Sequence, residues 1–190
     1  MNTPNKLTIS RIFLTFIFML LLFIHGAAAK VAALIIFSAA SFTDWADGYL
    51  ARKYGQISDF GKFMDPIADK ILVLSAFFAF IELEIVPAWM VVIIVLRESI
   101  VTGLRLFALT KNIVLPAQEG GKQKTVSQMI AIFVILISLI LKEAGIQFPA
   151  EAIYILMLIT TALTLISGSS FLYRNRTIFD TLSPKGRGQG

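Results

Sequence analysis

Residues 31–51 read VAALIIFSAASFTDWADGYLA. As an α-helix rising ~1.5 Å per residue, a segment of this length crosses the hydrocarbon core of a bilayer, which takes about 20 mostly apolar residues. It nevertheless carries Asp44 and Asp47 toward its C-terminal end. An apolar span that contains two acids predicts a membrane helix with one face turned to a wet, protein-lined interior. Five further stretches have the same length and character, at 8–25, 60–82, 87–109, 122–142 and 150–173, separated by short polar breaks such as Arg52-Lys53-Tyr54-Gly55 and Lys142 to Pro149. The expected fold is an all-α integral membrane protein, a six-transmembrane-helix bundle over residues 1–182. Residues 183–190, with three glycines, a proline and two cations, are expected to form a disordered tail.

Composition points the same way. Of 190 residues, 57% are hydrophobic and only 15% charged, and the mean hydropathy is +0.80. A soluble domain is about a quarter charged, so this chain has too little polar surface to coat a water-soluble fold. The net charge of +5 and pI near 9.6 come from cations lying between apolar runs, which is unlike a nucleic-acid-binding face. With no cysteine and only His25, disulfides, thiolate chemistry and His/Cys metal sites are excluded.

The cations also orient the bundle. With alternating sides, Lys6, Arg11, Arg52, Lys53, Lys62, Lys111, Lys122, Lys124, Arg174, Arg176, Lys185 and Arg187 fall on or near one side, and only Lys30 and Lys142 on the other. The positive-inside rule makes the first side cytoplasmic, with both termini there, while Glu82, Glu84, Glu143 and Glu151 gather outside. Lys6, Arg11, the run 12–24 and Ala27-Ala28-Ala29 also match a signal peptide with a small-residue cleavage site. A retained first helix is the more economical reading, because the second span follows at once.

Acids inside apolar spans are the informative feature. One ionised group near the bilayer centre costs about 2.5–3.5 kcal/mol even on the lenient scale, so several require an interior site. Asp44, Asp47, Gly48 and Ala51 follow i, i+3, i+4, i+7 on the second helix, and Gly61, Asp65 and Asp69 step by four along the third. A connection of about eight residues lets the two helices pair, bringing four carboxylates together. A single Asp at a helix start is ordinarily a cap, as expected for Asp59; four at helical spacing on adjacent spans are not. All-oxygen ligation without Cys or His suits a hard ion, Mg²⁺ or Mn²⁺, which recruits substrate phosphates as further ligands. Pro66 is tolerated in the first turns of the third helix, where N–H groups lack intrahelical partners.

The stretch Asp44-x2-Asp47-Gly48-x2-Ala51-Arg52-x8-Gly61-x3-Asp65-x3-Asp69 resembles the full signature of the CDP-alcohol phosphatidyltransferases at every defined position. That family comprises six-helix membrane enzymes that join a CDP-activated lipid to an alcohol and release CMP. The resemblance implies that Asp44, Asp47, Asp65 and Asp69 hold one or two divalent ions against the CDP pyrophosphate. It further implies that Gly48, Ala51, Arg52 and Gly61 shape the nucleotide site and that Asp69 is the general base. It also suggests a homodimer in a bacterial cytoplasmic membrane. Asn5 and Thr8 have polar groups suited to the cytidine, and equally to a helix start.

The acceptor is read from the fourth and fifth spans. Arg97-Glu98-x3-Thr102-Gly103-Leu104-Arg105 and Gly121-Lys122-x-Lys124-Thr125 resemble segments of the family's glycerol-3-phosphate branch. Four cations, Arg97, Arg105, Lys122 and Lys124, suit a dianionic acceptor phosphate, since Arg offers a planar fork and Lys a mobile point charge. Glu98 and Arg105, seven apart on one helical face, are expected to pair. Taken together, the expected reaction is phosphatidyl transfer from CDP-diacylglycerol to sn-glycerol 3-phosphate. Rival readings are inositol phosphate as acceptor, a prenyltransferase with separated Asp-rich motifs, and a divalent-cation transporter. The transporter leaves the four cations without purpose, because they would repel its cargo.

Overall fold

The computed structural model describes residues 3–54, 59–110, 113 and 119–176, with side chains described over 10–42, 70–110, 113 and 121–176. The described residues form six helices and no strand: α1 (Thr3–Phe23), α2 (Ala27–Tyr54), α3 (Asp59–Glu82), α4 (Ala88–Thr110), α5 (Glu119–Glu143) and α6 (Ala150–Arg174). Each expected span is one helix. The helices outrun the apolar stretches at several polar ends, most clearly where α2 continues through Arg52, Lys53 and Tyr54. Polarity marks where the hydrocarbon ends and not where the helix ends, since Arg and Lys are good helix formers. The connection between α2 and α3 is therefore residues 55–58, half the expected length.

Three tight turns fix the up-and-down order. After α5, Gly145 has φ 80°, its N–H donates to the Lys142 carbonyl (3.1 Å) and the Ile146 N–H to that of Leu141 (2.9 Å). The same paired bonds end α3, where the Glu84 N–H donates to Ile81 and the Ile85 N–H to Phe80, both at 2.9 Å. This is the Schellman closure, and it leaves Glu84 at φ 57°, a region that favours glycine. After α1 the turn is closed by Lys30, a buried cation whose Nζ donates to the Leu22 and Ile24 carbonyls at the helix's negative end. The turns lie at one end of the molecule. The Gly26 N–H donates to Glu143 Oε2 at 3.0 Å, and a cavity of about 660 Å³ separates Glu84 and Pro87 from Glu151 and Tyr154.

Packing follows small-residue stripes. Ala33 and Ala40 on α2, Ala76 and Ala79 on α3, and Ala131 on α5 are fully or almost fully buried, letting backbones approach where no water drives helices together. On α1, Arg11, Thr15, Phe18 and Leu22 form the buried face, and the Phe18 ring meets Phe37 of α2 at 5.3 Å. Arg11 is thus inside the bundle at 3% exposure, although its place in the sequence reads as a solvated flank. The opposite face of α1 exposes Phe13, Phe16 and Leu20 by about two thirds. Exposed apolar faces recur on α2, α4, α5 and α6, as lipid contact requires and water would not tolerate. The segments Gly121–Glu143 and Ala150–Arg174 are each long and apolar enough to cross a membrane. Hydroxyls in the spans bond back to the carbonyl four residues earlier, as Ser38, Ser41 and Thr161 do at 2.7–2.8 Å, so they add little polar cost.

Candidate active site

The sequence-predicted residues fall on five helices. Asn5 and Thr8 are on α1, Asp44, Asp47, Gly48, Ala51 and Arg52 on α2, and Gly61, Asp65 and Asp69 on α3. All ten side chains lie outside the described residues, as does that of Asp59, with which α3 begins. Helical register still relates them. Counted back from Tyr54, Asp44 and Asp47 lie about 15 and 10 Å along α2, and counted on from Asp59, Asp65 and Asp69 lie about 9 and 15 Å along α3. The acids therefore stand at matching depths from the 55–58 connection. Among the described residues no three His, Cys, Asp or Glu side chains converge.

The four predicted cations are described, and they divide into two kinds. Arg97 and Lys124 are largely buried, with side chains 9% and 5% exposed, whereas Arg105 and Lys122 are exposed. Glu98 gathers the buried set. Its Oε1 accepts from Lys124 Nζ and from Arg97 Nη1 (3.1 Å), and its Oε2 lies 3.4 Å from Lys70 Nζ. Gln128 Nε2 approaches Oε1 at 3.5 Å and Thr164 Oγ1 at 3.4 Å, and Arg97 Nη2 donates to Ser167 Oγ at 2.9 Å. One carboxylate therefore ties α3, α4 and α5 together, and Arg97 carries the tie to α6.

The expected partner of Glu98 was Arg105. The structure corrects this: the Arg105 guanidinium lies 5.3 Å over the Phe171 ring of α6, and the arginine on Glu98 is its neighbour Arg97. Seven residues along a helix put Arg105 two turns, roughly 10 Å, beyond Glu98, while Arg97 bends back over the adjacent position. Stacking on an aromatic face holds a guanidinium without hiding its N–H groups, so the donors of the exposed Arg105 stay accessible.

Sequence reading missed Lys70, Gln128, Thr164, Ser167 and Gly168. The signal for the last three was present as Thr160-x3-Thr164-x2-Ser167-Gly168, a polar and small-residue stripe inside an apolar span, and all four positions are buried. Gly168 is required sterically, because a Cβ there would meet Arg97 Cγ at 2.7 Å. Beside the cluster, a groove of about 480 Å³ runs between α3 and α4 from Lys70, Glu98 and Thr102 to Leu74, Phe78 and Leu106. Its lining is mostly apolar, with Lys70 and Glu98 as its charged groups and Phe78 half exposed at its edge.

This pairing of an acid-bearing helix pair with a buried cation cluster meets a direct match. A sequence model of the CDP-alcohol phosphatidyltransferases covers residues 1–166. The chain belongs to the CDP-alcohol phosphatidyltransferase family. Among similar family members, a Bacillus subtilis protein described as CDP-diacylglycerol–glycerol-3-phosphate 3-phosphatidyltransferase is 38% identical over 187 residues, covering 92% of this chain and 95% of its own. A Mycobacterium tuberculosis protein described as a probable phosphatidylglycerophosphate synthase is 42% identical over 178 residues, covering 91% of this chain and 81% of its own. A Rickettsia typhi protein with the same description as the first is 35% identical over 178 residues, covering 94% and 99%. For a CDP-alcohol phosphatidyltransferase the matched region is informative, because it takes in α1 to α5, with every acid of the signature and the cations of α4 and α5.

Proposed function

We infer that this protein transfers the phosphatidyl group of CDP-diacylglycerol to sn-glycerol 3-phosphate, giving phosphatidylglycerophosphate and CMP. The observation that carries the reading is near full-length similarity to relatives described by that reaction, at 35–42% identity. The cations of α4 and α5 support the same acceptor.

Asp44, Asp47, Asp65 and Asp69 fit a divalent-ion site by donor chemistry: carboxylates only, at matching depths on two consecutive helices. They would hold one or two Mg²⁺ or Mn²⁺ ions, which when bound neutralise the pyrophosphate and make CMP a better leaving group. Gly48, Ala51 and Gly61, small residues on the same stripes, leave room for the nucleotide, with Arg52, Asn5 and Thr8 as its polar contacts. Asp69 takes the proton from the acceptor hydroxyl as that oxygen attacks the phosphorus bearing the diacylglycerol. The bond from this phosphorus to the CMP oxygen breaks, and CMP leaves with the electron pair.

The acceptor phosphate is bound by Arg105 and Lys122, whose charges are exposed, within the field of buried Arg97 and Lys124. Around Glu98 three cations meet one carboxylate among the described residues, a positive field suited to an anionic phosphate. A neutral alcohol would gain nothing from it. Lipid tails enter sideways, and the α3–α4 groove is suited to them by its apolar length. With the three tight turns and the acidic residues at the other end, the site faces the cytoplasm of a bacterial cell across a six-span bundle, with both termini on that side.

The test is CMP release by the purified protein in detergent with CDP-diacylglycerol and Mg²⁺ or Mn²⁺. Glycerol 3-phosphate is expected to support it and inositol phosphate not. Release with inositol phosphate alone would reassign the acceptor, and no release with either would remove the reading.

A further inference from the structure

We propose that Glu98 is a positioning residue for the acceptor, holding Lys70, Arg97 and Lys124 in one arrangement from the centre of the bundle. The proposal rests on the transferase reading above. Glu98 is 3% exposed, and among the described residues its carboxylate meets three cations and one amide and no other acid. Both oxygens are engaged. Lys70 follows Asp69 directly in the sequence, so the contact at 3.4 Å links the α3 segment that bears the last signature aspartate to the cations of α4 and α5.

Such a network is a poor device for stability alone. Buried ion pairs are often no better than apolar residues of the same volume, because desolvation offsets the attraction. Its value is geometric: one carboxylate meets three long side chains that repel one another and sets their relative positions. Arg97 is fixed from the other side too. Its Nη2 bonds Ser167, its stem lies against Gly168 with no room for a methyl group, and its Nε is buried with no hydrogen-bond partner among the described residues. Arg97 thus has one position, which Glu98 and the α6 stripe define together.

Removing the charge while keeping the shape tests this. In Glu98→Gln the three cations lose the counter-charge they share and the flexible lysines move apart, so the KM for glycerol 3-phosphate is expected to rise about tenfold or more. The KM for CDP-diacylglycerol should stay within about threefold. Glu98→Asp, which keeps the charge, should recover part of the loss. Gly168→Ala changes no charge and no residue near the carboxylate, yet by displacing Arg97 it should raise the same KM. The two changes should be less than additive when combined, because they act through one side chain. An unchanged or lowered KM for glycerol 3-phosphate in both Glu98→Gln and Gly168→Ala overturns the proposal. So does a loss of activity that tracks loss of folded protein with both KM values unchanged. These assays presuppose CMP release by the wild-type protein with glycerol 3-phosphate. Its absence would be failure of the transferase reading, whereas normal wild-type turnover with insensitive variants would be failure of this inference alone.

Discussion

At the scale of single residues, burial separates cations that the sequence lists alike. Arg105 and Lys122 are exposed, and Arg97 and Lys124 are tied to Glu98. Arg105→Ala should therefore raise the KM for glycerol 3-phosphate about tenfold or more with little change in thermal stability, the signature of a direct phosphate contact. An unchanged KM would place the acceptor phosphate elsewhere. Lys124→Met should instead lower the melting temperature in detergent, since it removes a partner of a buried carboxylate at a cost of about 1–3 kcal/mol. The positive charges of Arg97 and Lys124 were legible in the sequence because charge in an apolar span is costly. Their partner was not. Glu98 looked suited to Arg105 by helical period, but period says which residues share a face and not how a guanidinium bends. Lys70 was invisible for a different reason: its contact depends on how α3 and α4 cross, which only tertiary packing sets.

At the scale of elements, the helices and their order were readable, with ends two to five residues off in α1 and α2, because a bilayer demands apolar runs of fixed length and polar breaks mark only where those runs stop. The way they end was less so. The α3–α4 turn uses Glu84 in a backbone conformation that costs a non-glycine residue about 1–2 kcal/mol. Glu84→Gly should stabilise the protein by about 1 kcal/mol, visible as a higher melting temperature, and the corresponding Gly145→Val after α5 should lower it. The opposite signs would show that these turns do not close as described. Lys30 illustrates the same limit. Counted as a charge outside the membrane, it is buried and closes the carbonyl end of α1. Arg11, near the middle of that helix, is likewise buried where its place in the sequence reads as a flank.

At the scale of the whole molecule, α1 to α6 alternate in direction, and their tight turns gather at one end. The absence of native cysteine makes sidedness directly measurable. Gln147→Cys, in the exposed α5–α6 turn, should react with a membrane-impermeant maleimide on intact cells, whereas Lys122→Cys should react only after the cytoplasmic side is opened. The reverse pattern would invert the bundle and put the site outside. The acid motif stands out in the sequence because its spacing follows the helical period on two consecutive spans, and the family it points to is the one whose model matches the chain. The polar stripe on α6 was missed because serine, threonine and glycine cost little in a span and so leave little trace in hydropathy.

The transferase reading assigns to the acids of α2 and α3 the transfer of a lipid phosphate to glycerol 3-phosphate. It is tested most directly by supplying labelled glycerol 3-phosphate with CDP-diacylglycerol and Mg²⁺, and measuring label in lipid and CMP released, for the wild-type protein and Asp69→Asn. The account predicts one labelled lipid per CMP in the wild type. It predicts a loss of about 100-fold or more in turnover in Asp69→Asn, with CDP-diacylglycerol still bound. CMP released without label in lipid, or normal turnover in Asp69→Asn, would contradict it.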